Sequence, residues 1–168
     1  MRVKYLLLGI MALGLLSCDK INNSGKIWDI SPVVVTLQVV DAKGVDILNP
    51  KNSNSIPISG VRALYKGVEY ECNTPSAAVC TKAYLPQFYG LMAINNTYNG
   101  LYYLQFGELE GAKSYSNEEV IISWGNGTAD RIKFNRKFRW KLNGDPDVHQ
   151  EWFLNGTKVS GNIIKVVK

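Results

Sequence analysis

Histidine is nearly missing from this chain: of 168 residues, only His149 carries an imidazole. A catalytic zinc site draws on several histidine or carboxylate ligands, so one histidine cannot found it. No Gly-x-Ser-x-Gly pattern occurs, which removes the nucleophile elbow on which α/β-hydrolases place their serine. A triad of His149 with Asp145 or Asp147 would need an unmarked serine, and His149 reads as a surface residue beside a turn. Cysteine is almost as scarce, with Cys18, Cys72 and Cys80 at no common metal spacing. Long apolar runs are absent as well. The most apolar stretch, Leu6 to Leu16, is well short of the roughly 20 residues that a membrane-spanning helix needs. There is no amphipathic helical period and no internal repeat. A strong charge excess is lacking too: 19 basic against 14 acidic side chains, with Arg2 and Lys4 in the leader. That leaves too mild a balance for nucleic acid as a partner. The sequence therefore points to no catalytic set, no metal and no cofactor.

What is present begins with an address. Arg2 and Lys4 form a short positive segment, Leu6 to Leu16 an apolar one, and Ser17 precedes Cys18. This is the layout of an export signal. Leu15-Leu16-Ser17-Cys18 resembles the lipobox of bacterial lipoproteins, with Leu16 standing where a smaller residue is more usual. The resemblance implies cleavage before Cys18 and acylation of its thiol. Two or three acyl chains hold a protein to a bilayer where one does so marginally. Membrane lipid, reached through Cys18, is thus the first expected partner. The expected location is the cell envelope, at the outer membrane, with the facing side left open. Export also places Cys72 and Cys80 in an oxidising compartment, where an even pair predicts a disulfide around Asn73 to Ser76.

Residues 1–17 therefore read as a signal peptide, 18–31 as a lipidated amino terminus and flexible tether, and 32–168 as a single β domain. Val33 to Val40 is rich in β-branched residues and predicts a strand. Residues 45–60, with Asn49-Pro50 and Pro57, predict a long loop. Val61 to Tyr65 and Val68 to Cys72 flank Lys66-Gly67 as a hairpin, and Val79 to Leu85 is a further strand. Phe88 to Ile94 pairs with Leu101 to Phe106, and Glu119 to Trp124 with Arg131 to Leu142. Glu151 to Leu154 pairs with Thr157 to Val159 across Asn155-Gly156, the dipeptide best suited to a tight hairpin turn. Asn162 to Val167 closes the series. The Asn-x-Thr triplets at Asn95, Asn126 and Asn155 read as turns. Short strands with frequent turn signals predict an all-β fold, an antiparallel β-sandwich first and a closed barrel second.

The stretch from Val39 to Pro50, Ala63 to Tyr70, Ile122 to Asp130 and Trp152 to Gly156 resembles small envelope lipoproteins of Bacteroides-type bacteria. The resemblance covers most of residues 33–168. It implies an immunoglobulin-like sandwich on the envelope and little about activity, since its motifs are turn chemistry.

Two patterns could carry binding. In Arg131 to Leu142, alternate residues point to opposite faces of a strand. Arg131, Lys133, Lys137, Arg139 and Lys141 make one face basic, while Ile132, Phe134, Phe138, Trp140 and Leu142 make the other apolar apart from Arg136. The basic stripe would suit lipid headgroups, an acidic polysaccharide or an acidic protein; as a solvated face it would simply discourage edge aggregation. The second pattern is aromatic: Tyr84, Phe88, Tyr89, Tyr98, Tyr102 and Tyr103 gather around one hairpin, with Tyr98 in its loop. Trp124, Trp140 and Trp152 read as core. Carboxylates for glycoside hydrolysis (Glu108 with Glu110, or Glu118 with Glu119) or for calcium (Asp145, Asp147, Glu151) are available without the required arrangement. The expectation is a non-enzymatic binding or assembly module for glycan or envelope protein. The alternatives are a glycan-degrading hydrolase, recognisable by carboxylates opposed across a deep cleft, and a fimbria-like subunit that exchanges strands.

Overall fold

The computed structural model describes residues 27–73 and 90–168, apart from the side chain of Glu108. The expected signal, tether, Cys18, Cys80 and the strand at Val79 to Leu85 lie wholly or largely outside the described residues. Within them the protein is all-β, with ten strands and no α-helix. The strands are β1 (Val33–Val40), β2 (Arg62–Tyr65), β3 (Val68–Asn73), β4 (Leu91–Asn95), β5 (Tyr102–Leu109), β6 (Tyr115–Ser123), β7 (Ala129–Trp140), β8 (Pro146–Leu154), β9 (Thr157–Val159) and β10 (Ile163–Val167).

Alternation in the sequence becomes alternation in burial. Val33, Val35, Leu37 and Val39 of β1 are buried, and so are Ile132 and Phe134 of β7 with Ile164 and Val166 of β10. Removing such a side chain from water contributes roughly 1.5–3 kcal/mol. The rings interlock in two groups. Phe106 meets Tyr65 and Tyr70 edge-on at 5.4 and 5.5 Å, while Phe134 sits 5.1 Å from Trp152 and 5.4 Å from Tyr115.

All ten strands join in one hydrogen-bonded sheet, in the order β10-β1-β5-β4-β3-β2-β6-β7-β8-β9. The sheet forms a nearly closed barrel around a single core to which both halves contribute. The expectation of two separate sheets gives way here to one continuous sheet, the second of the two architectures that the turn pattern allowed. Its continuity rests on a narrow join, the parallel pairing of Cys72 with Leu91 and Asn73 with Met92. The other parallel pair is β1 with β10. Strand order of this kind is set by contacts distant in sequence, which local turn signals do not encode.

The hairpins fall where their turns predict. Lys66-Gly67 and Asn155-Gly156 carry positive φ at both positions (51° and 79°, 50° and 84°), as the tight primed turn requires. The loop at 45–60 is irregular, with one short 3₁₀ turn at Ile58–Gly60. Asp46 pins it: its carboxylate accepts the backbone N–H groups of Leu48 at 2.9 Å and Tyr102 at 2.8 Å.

Two expectations are corrected. β8 begins at Pro146, five residues before the expected Glu151, a start that the sequence hid because Asp145-Pro146-Asp147 carries the chemistry of a turn. Proline is tolerated there since β8 is paired on its other side only at Trp152 to Leu154, leaving that edge with no need for an N–H. The β7–β8 hairpin consequently reaches beyond the core, so Trp140 is 53% exposed rather than buried. It packs against Phe138, edge-on at 5.2 Å.

Candidate functional site

Cys72 is the described member of the expected cystine. It is a half-buried free thiol, and burial pushes its pKa up to about 11. Its expected partner, Cys80, lies outside the described residues, as does the acylation site Cys18.

The basic stripe lies on the outer face of β7 as the alternation demands, but neighbours neutralise much of it. Arg131 and Lys133 reach Glu119 at 3.5 and 3.4 Å. Arg139 binds Asp147 at 2.5 Å. Lys137, opposite His149 in the register, and Lys141, in the loop after β7, have no ion-pair partner among the described residues. Exposed pairs of this kind contribute little stability. They do lower the stripe's net charge, which weakens its pull on an anionic surface. Tyr98 is fully exposed in the β4–β5 loop, whereas Tyr103 of the same hairpin is buried. Tyr84, Phe88 and Tyr89 of the expected aromatic cluster lie outside the described residues.

The Glu108 side chain lies outside what is described, and the carboxylates of β6 and β8 are committed elsewhere. Glu118 accepts the Tyr65 hydroxyl at 2.9 Å and the Lys66 ammonium at 2.6 Å. Burial raises its pKa, but these two donors outweigh it and hold the carboxyl below its ordinary value. Tyr65 is pushed up to about 12, by burial first and then by its bond to Glu118. Glu119 faces the opposite way, toward Arg131 and Lys133. Glu151 binds Lys158 at 2.5 Å, and Asp147 is held by Arg139. Asp145, Asp147 and Glu151 therefore do not converge, and no group of three or more metal-ligating side chains exists among the described residues.

A cleft of about 760 Å³ opens among the described residues. One wall is formed by the non-core face of β1, β4 and β5, through Thr36, Ile94 and Gln105; the other is formed by β7 and β8, through Arg136, Gln150 and Trp152. Such volumes are typical of small-ligand sites. Its lining is divided between amides, hydroxyls and apolar side chains, with Asp29 as its one carboxylate and Arg136 as its one cation.

Arg136 is positioned with care. Its Nε and Nη2 donate to the Gly111 carbonyl at 3.0 and 2.7 Å, and its Nη1 donates to Gln150 Oε1 at 2.6 Å. Burial lowers its pKa, but a guanidinium keeps its charge. Gly111 must be glycine, because a Cβ there would overlap the Ser31 carbonyl. On the far wall, Asn99 Nδ2 donates to the Tyr103 hydroxyl at 3.0 Å.

The sequence marked Arg136 only as the exception in an apolar alternation, and it did not mark Gln150 or the cleft face of Trp152. The signal was that exception itself: a charge on the core side of a strand has to be satisfied by something. Comparison with protein-family models, characterised proteins and solved structures finds no match to this chain.

Proposed function

We propose that this chain is an envelope lipoprotein, held at the outer membrane through an acylated Cys18, whose β body is a non-enzymatic binding or assembly module for glycan or protein. The cleft between β1–β5 and β7–β8 carries the reading. It has the volume for a small ligand or a few residues of a polymer, and a wall of amides, hydroxyls and apolar side chains. Hydrolysis of a glycan by the usual route needs two carboxylates across the scissile bond. The described lining offers Asp29 alone, and Glu118, Glu119, Asp147 and Glu151 are each engaged by cations, so this arrangement favours binding over hydrolysis. A kinship with immunoglobulin-like sandwiches, the finer form of the all-β reading, rests on the sequence resemblance.

The anchor is tested in a Bacteroides-type host expressing the full-length chain. Mass spectrometry is expected to find a diacylglyceryl group on an amino-terminal Cys18, and Cys18→Ala is expected to move the protein out of the membrane fraction. Protein recovered from the cytosol with its signal intact and no fatty acid would overturn the lipoprotein reading.

A further inference from the structure

We propose that the cleft takes an acidic saccharide, its carboxylate on Arg136 and a further oxygen on the indole N–H of Trp152; this rests on the binding-module reading above. Two donors in the cleft wall are positioned but not consumed. Trp152 is 3% exposed, and its Nε1 has no hydrogen-bond partner among the described residues. The other deeply buried tryptophan is satisfied, with Trp124 Nε1 donating to Asp130 at 2.7 Å. Buried polar groups are paired as a rule, and one left bare carries the full cost of its desolvation. Nε1 is sealed from solvent in this structure, so a ligand oxygen that meets it must first displace the wall beside it, and doing so would remove that cost.

Arg136 is the second such group. The other three arginines of the described chain face carboxylates: Arg62 faces Glu69 and Glu71, Arg131 faces Glu119, and Arg139 faces Asp147. Among the described residues Arg136 has neutral partners only, the Gly111 carbonyl and the Gln150 amide. Of the five N–H donors of a guanidinium, these contacts use three. A fixed, half-buried guanidinium with spare donors and no counter-ion matches the fork geometry of a carboxylate. The strand register sets Phe134 opposite Trp152 and Arg136 opposite Gln150, so Arg136 and Trp152 are diagonal neighbours on one face, within reach of a single ligand residue.

The rest of the wall selects the class of anion. Asn99, Gln105 and Thr36 offer donors and acceptors together, as sugar hydroxyls do, and Ile94 and Val148 offer apolar contact for ring C–H groups. With Arg136 as the one cation and Asp29 as the one carboxylate among the described lining residues, the site suits a single carboxylate per residue rather than a densely charged polyanion.

The full-length protein in detergent micelles is titrated with oligogalacturonate and with its methyl ester, which keeps the sugar and removes the charge. It is also applied to an immobilised panel of alginate, sialylated and neutral glycans. The expected result is binding to at least one acidic glycan, with about tenfold weaker binding for the neutral counterpart and for Arg136→Gln or Trp152→Phe. In the unmutated protein, the Trp152 indole N–H resonance should shift on saturation, a readout that does not depend on a variant folding. Capture of neutral glycans with no preference for acidic ones would overturn the inference and leave the binding module standing. Acidic binding that Arg136→Gln does not weaken and that leaves the Trp152 resonance in place would overturn the site. Retention of nothing on the panel, together with no binding in the titrations, would remove the inference and the glycan form of the module reading with it.

Discussion

Asp130, the second residue of β7, is 7% exposed, a position where burial alone would favour the neutral acid. Asn155 Nδ2 donates to it at 2.8 Å, Lys168 Nζ reaches it at 2.5 Å and Trp124 Nε1 donates at 2.7 Å. Burial raises its pKa, but these three donors outweigh burial and hold it below the ordinary value. Its folded pKa is thus lower than its unfolded one. The stabilisation is complete above the unfolded value of 3.8 and fades as pH falls through the folded value. Asp130→Asn keeps the shape but turns one acceptor into a donor among donors. The expected cost is about 3 kcal/mol in urea unfolding, with a flatter decline in stability below pH 3.8 than in the parent. Little of this was legible in the sequence. Trp124 and Asp130 flank a recognisable turn, but Asn155 and Lys168 arrive from far along the chain, and only the strand order brings them in.

Among the elements, the loop between β6 and β7 shows how turn chemistry and packing separate. Gly125 and Gly127 both have positive φ, 75° and 83°. A Cβ on Gly127 would meet open space, whereas one on Gly125 would stand 2.8 Å from the Gly60 carbonyl oxygen. Gly127→Ala is expected to cost about 1 kcal/mol from backbone strain alone. Gly125→Ala should cost at least twice as much, read as the difference between the two thermal midpoints. The sequence showed both residues as turn formers and could not rank them, because the neighbouring backbone comes from the 3₁₀ turn at Ile58–Gly60. The strands themselves were readable, since β-branched alternation in β1 and β7 reports directly which side faces the core. The start of β8 was not, because Pro146 breaks that pattern and only its unpaired edge explains the exception.

At the scale of the molecule, β10 returns from the far end of the chain to lie beside β1, in register from Thr36 opposite Ile163 to Val40 opposite Val167. Closing so long a loop is entropically costly and belongs late in folding. Val166→Ala, in the buried face of β10, is therefore expected to lose about 2 kcal/mol. In a chevron plot the loss should fall on the unfolding limb and leave the folding limb in place; a slowed folding limb would put β10 in the nucleus instead. This pairing is also what the sequence concealed, since a parallel partner more than a hundred residues away leaves no local mark.

The same pair sets how the body would meet a mechanical load. β1 and β10 run side by side in one direction, so a tug backward on the amino-terminal end of β1 and forward on the carboxy-terminal end of β10 slides the two strands past each other. Every hydrogen bond between them then bears the strain together, whereas an antiparallel pair pulled apart at its open end peels one bond at a time. A protein tethered at its amino-terminal side and drawn outward by its carboxy-terminal side would resist as a clasp in shear, not as a zip.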